Sequence, residues 1–249
     1  MKVDAKTTTA FTLLEVIVVT FLIALVALIV LPALNPPHHK HAKLGCVNNL
    51  KQIGTAYRIW ASDNGDRYPA DVAKTPTNLG WADFAKMTNA GQYCWSNYAL
   101  IEYELGRLPQ ILVCPADKRQ PSDDFKHLNN KNISYFINPG ASENFPLSIL
   151  GGDRNVAPGT KPQNDYGYSP EDGSGNDVIL QTNSPICWSL KMHSQGNPVG
   201  GGNILMGDGS VQQCSSARLM SDYQCTAVDA GNFPTGYINK SNSFRLIFP

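Results

Sequence analysis

The chain has 249 residues, with 20 Lys+Arg set against 20 Asp+Glu and a pI near 6.9. A nucleic-acid-binding domain shows a basic excess on one face, so zero net charge argues against that class. Charged residues make up 16% of the chain, below the ~25% usual in soluble domains; Gly, Pro, Ser and Asn gather after residue 62 and predict a head rich in turns and long loops.

Residues 1–10 form a short leader carrying Lys2, Asp4 and Lys6. From Phe11 to Leu34 the chain reads FTLLEVIVVTFLIALVALIVLPAL, with Glu15 as its one ionisable residue. A helix needs about 20 apolar residues to cross a ~30 Å hydrocarbon layer, so 11–34 reads as a transmembrane helix. No polar stripe appears for several turns, which disfavours a buried helix of a soluble domain. The run is also longer than the roughly 7–15-residue apolar core of a cleaved secretory signal. Charge does not orient it, because Lys2 and Lys6 precede the run while Lys40 and Lys43 follow it; the positive-inside rule separates neither side. Glu15 lies one turn beyond Phe11 on the same side of the helix. A carboxylate in hydrocarbon costs several kcal/mol and marks a function or a partner. If the Ala10–Phe11 bond were cut, the new amino group of a neighbouring subunit's Phe11 would supply a counter-charge. The simpler reading is a carboxylate that snorkels to the interface.

The string TTTAFTLLEVIVV resembles the class III signal of type IV pilins and type II secretion pseudopilins. The resemblance implies a leader kept in the cytoplasm, cleavage between Ala10 and Phe11 by a prepilin peptidase, and N-methylation of Phe11. It makes Glu15 the assembly glutamate and Pro32 the proline that interrupts the helix. It orients the chain as a single-pass inner-membrane protein with an extracytoplasmic head, carried to a surface filament on assembly. Its partners would be the membrane, the peptidase and other pilin-like subunits, of its own kind or another; no nucleic acid is expected. The chain departs from the family at Ala10, where Gly is usual.

Asn35, Pro36 and Pro37 should kink or end the helix. In the tract His38, His39, Lys40, His41, His38 and His41 have helical metal-ligand spacing, but a solvated or headgroup-facing run is the preferred reading. From Ala42 to about Ser62, Leu44, Val47, Leu50, Ile53, Tyr57 and Trp60 recur at spacings of three and four. They predict an amphipathic helix packed on a sheet, stopped by Asp63-Asn64-Gly65-Asp66. The stretch CVNNLKQIGTA is similar to a bacterial group of prepilin-like proteins with the motif C-x-NNLKQIG-x-A after the membrane helix. That group also carries a Cys-Pro-x-Asp motif, matched by Cys114, Pro115, Ala116 and Asp117. It ends with His, nine residues and Asp-Gly, matched by His193 and Asp208-Gly209 across fourteen residues here; the insert QGNPVGGG lengthens the loop.

The C-terminal half reads as β-structure. Asn203–Leu205 and Val211–Cys214 form a hairpin, with Asp208-Gly209 suited to a type I′ turn. Gly151-Gly152-Asp153-Arg154-Asn155 reads as a further turn. Asp172, Asn176 and Asp177 offer closely spaced oxygen atoms of the kind calcium takes, without the EF-hand pattern or its closing Glu, so a flexible polar loop is the default. None of the six cysteines sits in a CxxC pair, which leaves zinc weakly supported and no metal firmly expected. No nucleophile elbow, HExxH or phosphate loop is present. Gly200–Gly202 lacks the strand–helix context of a phosphate site, and a His193–Asp208 dyad has no nucleophile placed beside it. Neither an enzyme nor a cofactor is expected.

On an oxidising side of the membrane, six cysteines pair in one of 15 ways. Locality and the two motif cysteines favour Cys214–Cys225, Cys46–Cys114 as a staple between helix and head, and Cys94–Cys187, each beside a tryptophan. Buried free thiols are the alternative. The fold expected is α+β: a long N-terminal helix, transmembrane and then amphipathic, on a C-terminal antiparallel sheet head with long loops. Its parts are the leader at 1–10, the membrane helix at 11–34, the kink and amphipathic helix at 35–62 and the head at 63–249. The function expected is a structural subunit of a type IV pilus-like or type II pseudopilus-like filament. The competing function is a membrane-tethered binding module or hydrolase that never polymerises. Mass spectrometry of the membrane-purified protein should find a chain beginning at methylated Phe11; an intact Met1 or Lys2 terminus in peptidase-competent cells contradicts this.

Overall fold

The structure, a computed structural model, describes residues 12–33, 38–69, 93–181, 184–194, 198–221 and 243–249. The chain divides into two compact units, 1–38 and 39–249.

In the first unit, helix α1 runs from Leu13 to Ala33, 21 residues, and its backbone stays helical through Pro32. Its N-terminus is closed by a reciprocal capping box. Thr12 donates to Glu15 Oε2 from its backbone N–H at 2.9 Å and from its hydroxyl at 3.0 Å, and the Glu15 N–H returns a bond to Thr12 Oγ1 at 3.3 Å. The Thr20 hydroxyl turns back onto the carbonyls of Val16 and Ile17. Leu13 is 78% and Leu28 75% exposed, with apolar side chains open all along the run between them. Among the described residues no helix is long and apolar enough to cross a membrane; the backbone of α1 extends further, to Ala33, than the run whose side chains are described. The leader, Ala10, Phe11 and the expected kink at Asn35–Pro37 lie outside the described residues.

The second unit is α+β. Helix α2, His38–Asp63, is followed by the short helix α3, Cys94–Ala99. The strands are β1 Tyr135–Ile137, β2 Ile149–Asp153, β3 Val156–Pro158, β4 Asn176–Gln181, β5 Ile186–Trp188, β6 Gly202–Met206, β7 Val211–Cys214 and β8 Ser243–Phe248. Six of them form one antiparallel sheet in the order β4-β8-β1-β2-β6-β7, while β3 and β5 make a separate ribbon.

Both faces of the sheet are covered, and the two-residue period of strands sorts side chains between them. Tyr135, Ile137, Leu150, Leu205 and Ile247 join Leu50, Ile53 and Tyr57 of α2 in one core. Their strand neighbours Phe136, Ile149, Ile204, Met206, Leu246 and Phe248 turn to the other face and pack with Val156 and Trp188. The inner face of α2 is Cys46, Leu50, Ile53, Ala56, Tyr57, Trp60 and Ala61, all buried, whereas Leu44, expected in that stripe, is exposed. Gly54 lets the helix come close: a Cβ there would lie 2.7 Å from Leu205 Cδ1 and 3.1 Å from the Gly209 backbone. The helix stops as expected, with the N–H groups of Asn64 and Asp66 both returning to the Ala61 carbonyl.

Two turn expectations are corrected. Gly151-Gly152-Asp153 is no turn but the end of β2, in the middle of the sheet. Glycine signals close backbone approach here: a Cβ on Gly152 would sit 2.7 Å from the Asn203 carbonyl and 2.9 Å from the Phe136 ring. The β6–β7 hairpin forms where expected, but its turn is not type I′. Of residues 207–209 only Gly209, at φ 81°, is left-handed, and its N–H bonds the Met206 carbonyl at 3.0 Å. A three-residue loop ending in a left-handed glycine is the next commonest way to match hairpin twist.

Gly152→Ala forces a methyl against a backbone oxygen that cannot rotate away. Its denaturation midpoint should fall by the equivalent of about 1–3 kcal/mol, the usual cost of overpacking; an unchanged midpoint contradicts this packing.

Candidate functional site

Four buried side chains converge beside the α2-side core: Cys46, Cys114, Asp153 and His193, with one ligand-type atom from each lying within 4.8 Å of all the others. Each comes from a different segment. Cys46 stands on the inner face of α2. Cys114 follows the 3-10 turn Pro109–Leu112. Asp153 ends the central strand β2. His193 sits in the 3-10 turn Met192–Ser194, which starts at a left-handed, buried Met192 with φ 54°. A non-glycine residue in that region costs of order 1–3 kcal/mol and persists only where surrounding structure enforces it.

Cys46 Sγ donates to Asp153 Oδ1 at 2.9 Å. Cys114 Sγ lies 3.2 Å from His193 Nε2, and Asp153 Oδ2 lies 3.5 Å from the same nitrogen. The side chains of His193 and Asp153 are 1% and 0% exposed. A catalytic triad hangs its nucleophile and its carboxylate on opposite ring nitrogens; here both neighbours crowd one nitrogen, as atoms around a common centre do. Two thiols, an imidazole and a carboxylate are metal-ligand types.

The charges adjust to this crowding. Burial, the Cys114 contact and the Asp153 charge push the Cys46 thiol well up. Burial alone would raise Cys114 too, but its bonds with Cys46 and His193 hold it below the ordinary thiol value. Burial would lower His193, yet the Cys114 bond and the Asp153 charge hold it above its ordinary value. Burial raises Asp153 although His193, Cys46 and Asn203 all favour its anion.

The surroundings fix each member. Asn203 donates to Asp153 Oδ2 from its backbone at 2.7 Å and its amide at 2.9 Å. The Ala116 N–H points at Cys114 Sγ from 3.4 Å. Asn49, three residues beyond Cys46, donates to the Val113 carbonyl at 2.9 Å, and Gly45 admits the Pro115 ring. Asp117 of the Cys-Pro-Ala-Asp turn takes a two-pronged bond from Arg154, at 2.6 and 2.9 Å, with the Arg154 guanidinium 3.5 Å above the Tyr166 ring. Burial opposes the Asp117 charge, but Arg154 and Ser134 outweigh it and hold the carboxyl below the usual range. The Asn155 amide donates toward the carbonyls of Ser189, Lys191 and Gly201, on either side of His193.

The structure thus unites the motif residues Cys46, Cys114 and His193, and the carboxylate beside the histidine is Asp153, not the Asp208 of the motif. Asp208 is exposed in the β6–β7 turn, where it accepts the Ser210 N–H; Asp153 takes its place. Of the expected disulfides, Cys46–Cys114 and Cys94–Cys187 are not formed: these four cysteines are free thiols. Cys46 and Cys114 do meet, but each also engages a polar partner. Cys94 is buried in the α2-side core and donates to the Tyr135 carbonyl, whereas Cys187 belongs to the β3–β5 ribbon opposite Ala157. Cys225 lies outside the described residues. The three calcium candidates are engaged separately: Asp172 accepts the Ser174 N–H, Asn176 donates to the Tyr168 carbonyl and Asp177 pairs with Arg245. The side chains of His38 and His41 are outside the described set.

Sequence reasoning missed Asp153. The available signal was two charged residues and an amide in succession behind a glycine pair, in a chain short of charge. Comparison of the chain with protein-family models, with curated proteins and with solved structures found no match.

Asp117→Asn leaves the buried Arg154 guanidinium without its counter-ion. Removing one partner of a buried pair costs about 3–5 kcal/mol, so the denaturation midpoint should drop sharply. A change within error would show that the pair contributes little.

Proposed function

We propose that this chain is a membrane-anchored, prepilin-like subunit: 11–34 spans the inner membrane, the head lies on the extracytoplasmic side, and cleavage before Phe11 readies the chain for a pilus-like or pseudopilus-like filament. The observation that carries the reading is α1, a helix apolar on every side whose large side chains are open along its described length. Fully burying one such side chain is worth roughly 1.5–3 kcal/mol, so a helix of this kind belongs in hydrocarbon or against other apolar helices. Filament formation exchanges the first environment for the second. The sequence motifs at Ala10–Phe11 and Glu15 support the same reading.

Glu15 has two roles to separate. It caps its own helix through Thr12, a local role that a neutral glutamine also performs. In the assembled state its charge would face the amino group of a neighbour's Phe11. A tether that never polymerises uses only the first role; this is the second reading, with the head as a binding module or hydrolase.

Two substitutions distinguish them. Glu15→Gln should leave insertion and processing intact yet reduce filament yield strongly, because an unpaired amine in the helix bundle costs several kcal/mol. Glu15→Ala should match it and also fray the first turn of α1, because it removes the acceptor of both Thr12 bonds. Electron microscopy of sheared surface material gives the yield. Normal filaments from Glu15→Gln would refute the charge pair, and no filaments from the unmodified chain would favour the tether.

A further inference from the structure

We propose that Cys46, Cys114, Asp153 and His193 bind one zinc ion, which fastens α2 and the Cys114 turn to the sheet. The site does not depend on the filament reading. Its geometry comes first. Zinc with two sulfurs at about 2.3 Å, one nitrogen and one oxygen at about 2.0–2.2 Å makes a tetrahedron with edges of about 3.4–3.8 Å. The contacts among the four groups are 2.9 Å from Cys46 Sγ to Asp153 Oδ1, 3.2 Å from Cys114 Sγ to His193 Nε2 and 3.5 Å from His193 Nε2 to the other carboxylate oxygen, Asp153 Oδ2, and one ligand atom from each residue lies within 4.8 Å of the other three. A small outward movement of each group opens the centre.

The donor set suits the ion. Two thiolates favour a soft or borderline metal over magnesium or calcium, and four protein ligands with no open position are the mark of a structural zinc site. The supporting bonds are in place as well. Asn203 holds the Asp153 carboxylate by two donors, and the Ala116 N–H stabilises negative charge on Cys114 Sγ; outer contacts of this kind orient metal ligands. Zinc takes both sulfurs as thiolates, so its binding releases protons to solvent.

Two rivals use the same atoms. A thiol–imidazole–carboxylate catalyst needs an accessible sulfur and a carboxylate on the far ring nitrogen; Cys46 and Cys114 are both buried, and among the described residues the carboxylate at the imidazole is Asp153, on the same nitrogen as Cys114. A Cys46–Cys114 disulfide uses the two sulfurs alone and removes the thiol proton that Cys46 gives to Asp153, although Asp153 and His193 are both turned onto the sulfurs. Only an ion uses all four groups. Because they come from four distant segments, the site exists only in the folded chain, and the metal should stabilise that state.

The test uses the full chain, extracted from membranes in detergent under reducing conditions. Elemental mass spectrometry should find zinc near one ion per chain. Exchange into cobalt should give the strong visible absorption of a tetrahedral site together with thiolate charge transfer. Cys114→Ser and His193→Ala should lose the metal, whereas Cys187→Ser, a thiol outside the cluster, should keep it. If the cluster variants fail to fold, the unmodified chain still decides: a strong chelator should lower its thermal midpoint, and zinc but not magnesium should restore it. A chain that purifies without zinc and takes up neither zinc nor cobalt overturns the proposal. So does a Cys46–Cys114 disulfide found by peptide mapping, or full zinc content in folded His193→Ala. Iron or copper at one per chain would overturn the ion assigned.

Discussion

Three consecutive buried polar residues, Asp153, Arg154 and Asn155, at 0%, 2% and 0% exposure, set the constraint on which the head depends. Burying a carboxylate, a guanidinium and an amide side by side is costly unless each is bonded. Each draws in a different segment: Asp153 takes Cys46 of α2 and Asn203 of β6, Arg154 takes Asp117, and Asn155 takes the carbonyls that flank His193. One short stretch of chain, leaving the central strand, therefore ties together a helix, two loops and a strand. A network that bonds the Asp153 carboxylate, the Arg154 guanidinium and the Asn155 amide nitrogen to separate segments specifies one arrangement.

The same constraint gives physical meaning to the motif segments. In CVNNLKQIGTA, Cys46 joins the buried cluster, Asn49 bonds the Val113 carbonyl, Leu50, Ile53 and Ala56 fill the core, and Gly54 allows contact with the β6–β7 hairpin. Asn48, Lys51 and Gln52, between them, are exposed. In the Cys-Pro-Ala-Asp turn, Cys114 and Asp117 serve two neighbouring sites, one shared with Asp153 and the other with Arg154. Gly209 of the Asp-Gly pair supplies the left-handed corner that brings the hairpin under α2. Segments scattered from residue 46 to residue 209 are thus parts of one docking arrangement.

The two units of the chain follow opposite physical rules. In the head, apolar side chains alternate between two covered faces of a sheet, and the buried Asp153 and Arg154 side chains are bonded to neighbouring segments. In α1 the polar groups are satisfied within the helix itself, by the Thr12–Glu15 box and by the Thr20 hydroxyl, and the apolar side chains point outward. A helix whose Thr12 and Thr20 hydroxyls bond back onto itself suits a medium without water, which is the setting proposed for it.

Periodicity and punctuation determined the elements. The three-and-four spacing of Leu50, Ile53, Tyr57 and Trp60 gave α2 its buried face, Asp63-Asn64-Gly65-Asp66 gave its end, and the alternation around Asp208-Gly209 gave the last hairpin, because these features depend only on near neighbours in the chain. The unbroken apolar run and its one glutamate were equally plain. Tertiary structure decided the rest. Gly151-Gly152 looked like a turn because glycine marks both loops and close backbone approach, and only the strands on either side of β2 distinguish the two. Cys46 and Cys114 were legible as neighbours but not as thiols sharing polar partners, since that depends on Asp153 and His193 arriving from 107 and 79 residues away respectively. Asp208 lay nearest His193 in sequence among motif acids, yet Asp153 reaches it, because the sheet brings β2 beneath the histidine turn and sends the hairpin tip toward α2 and Arg58.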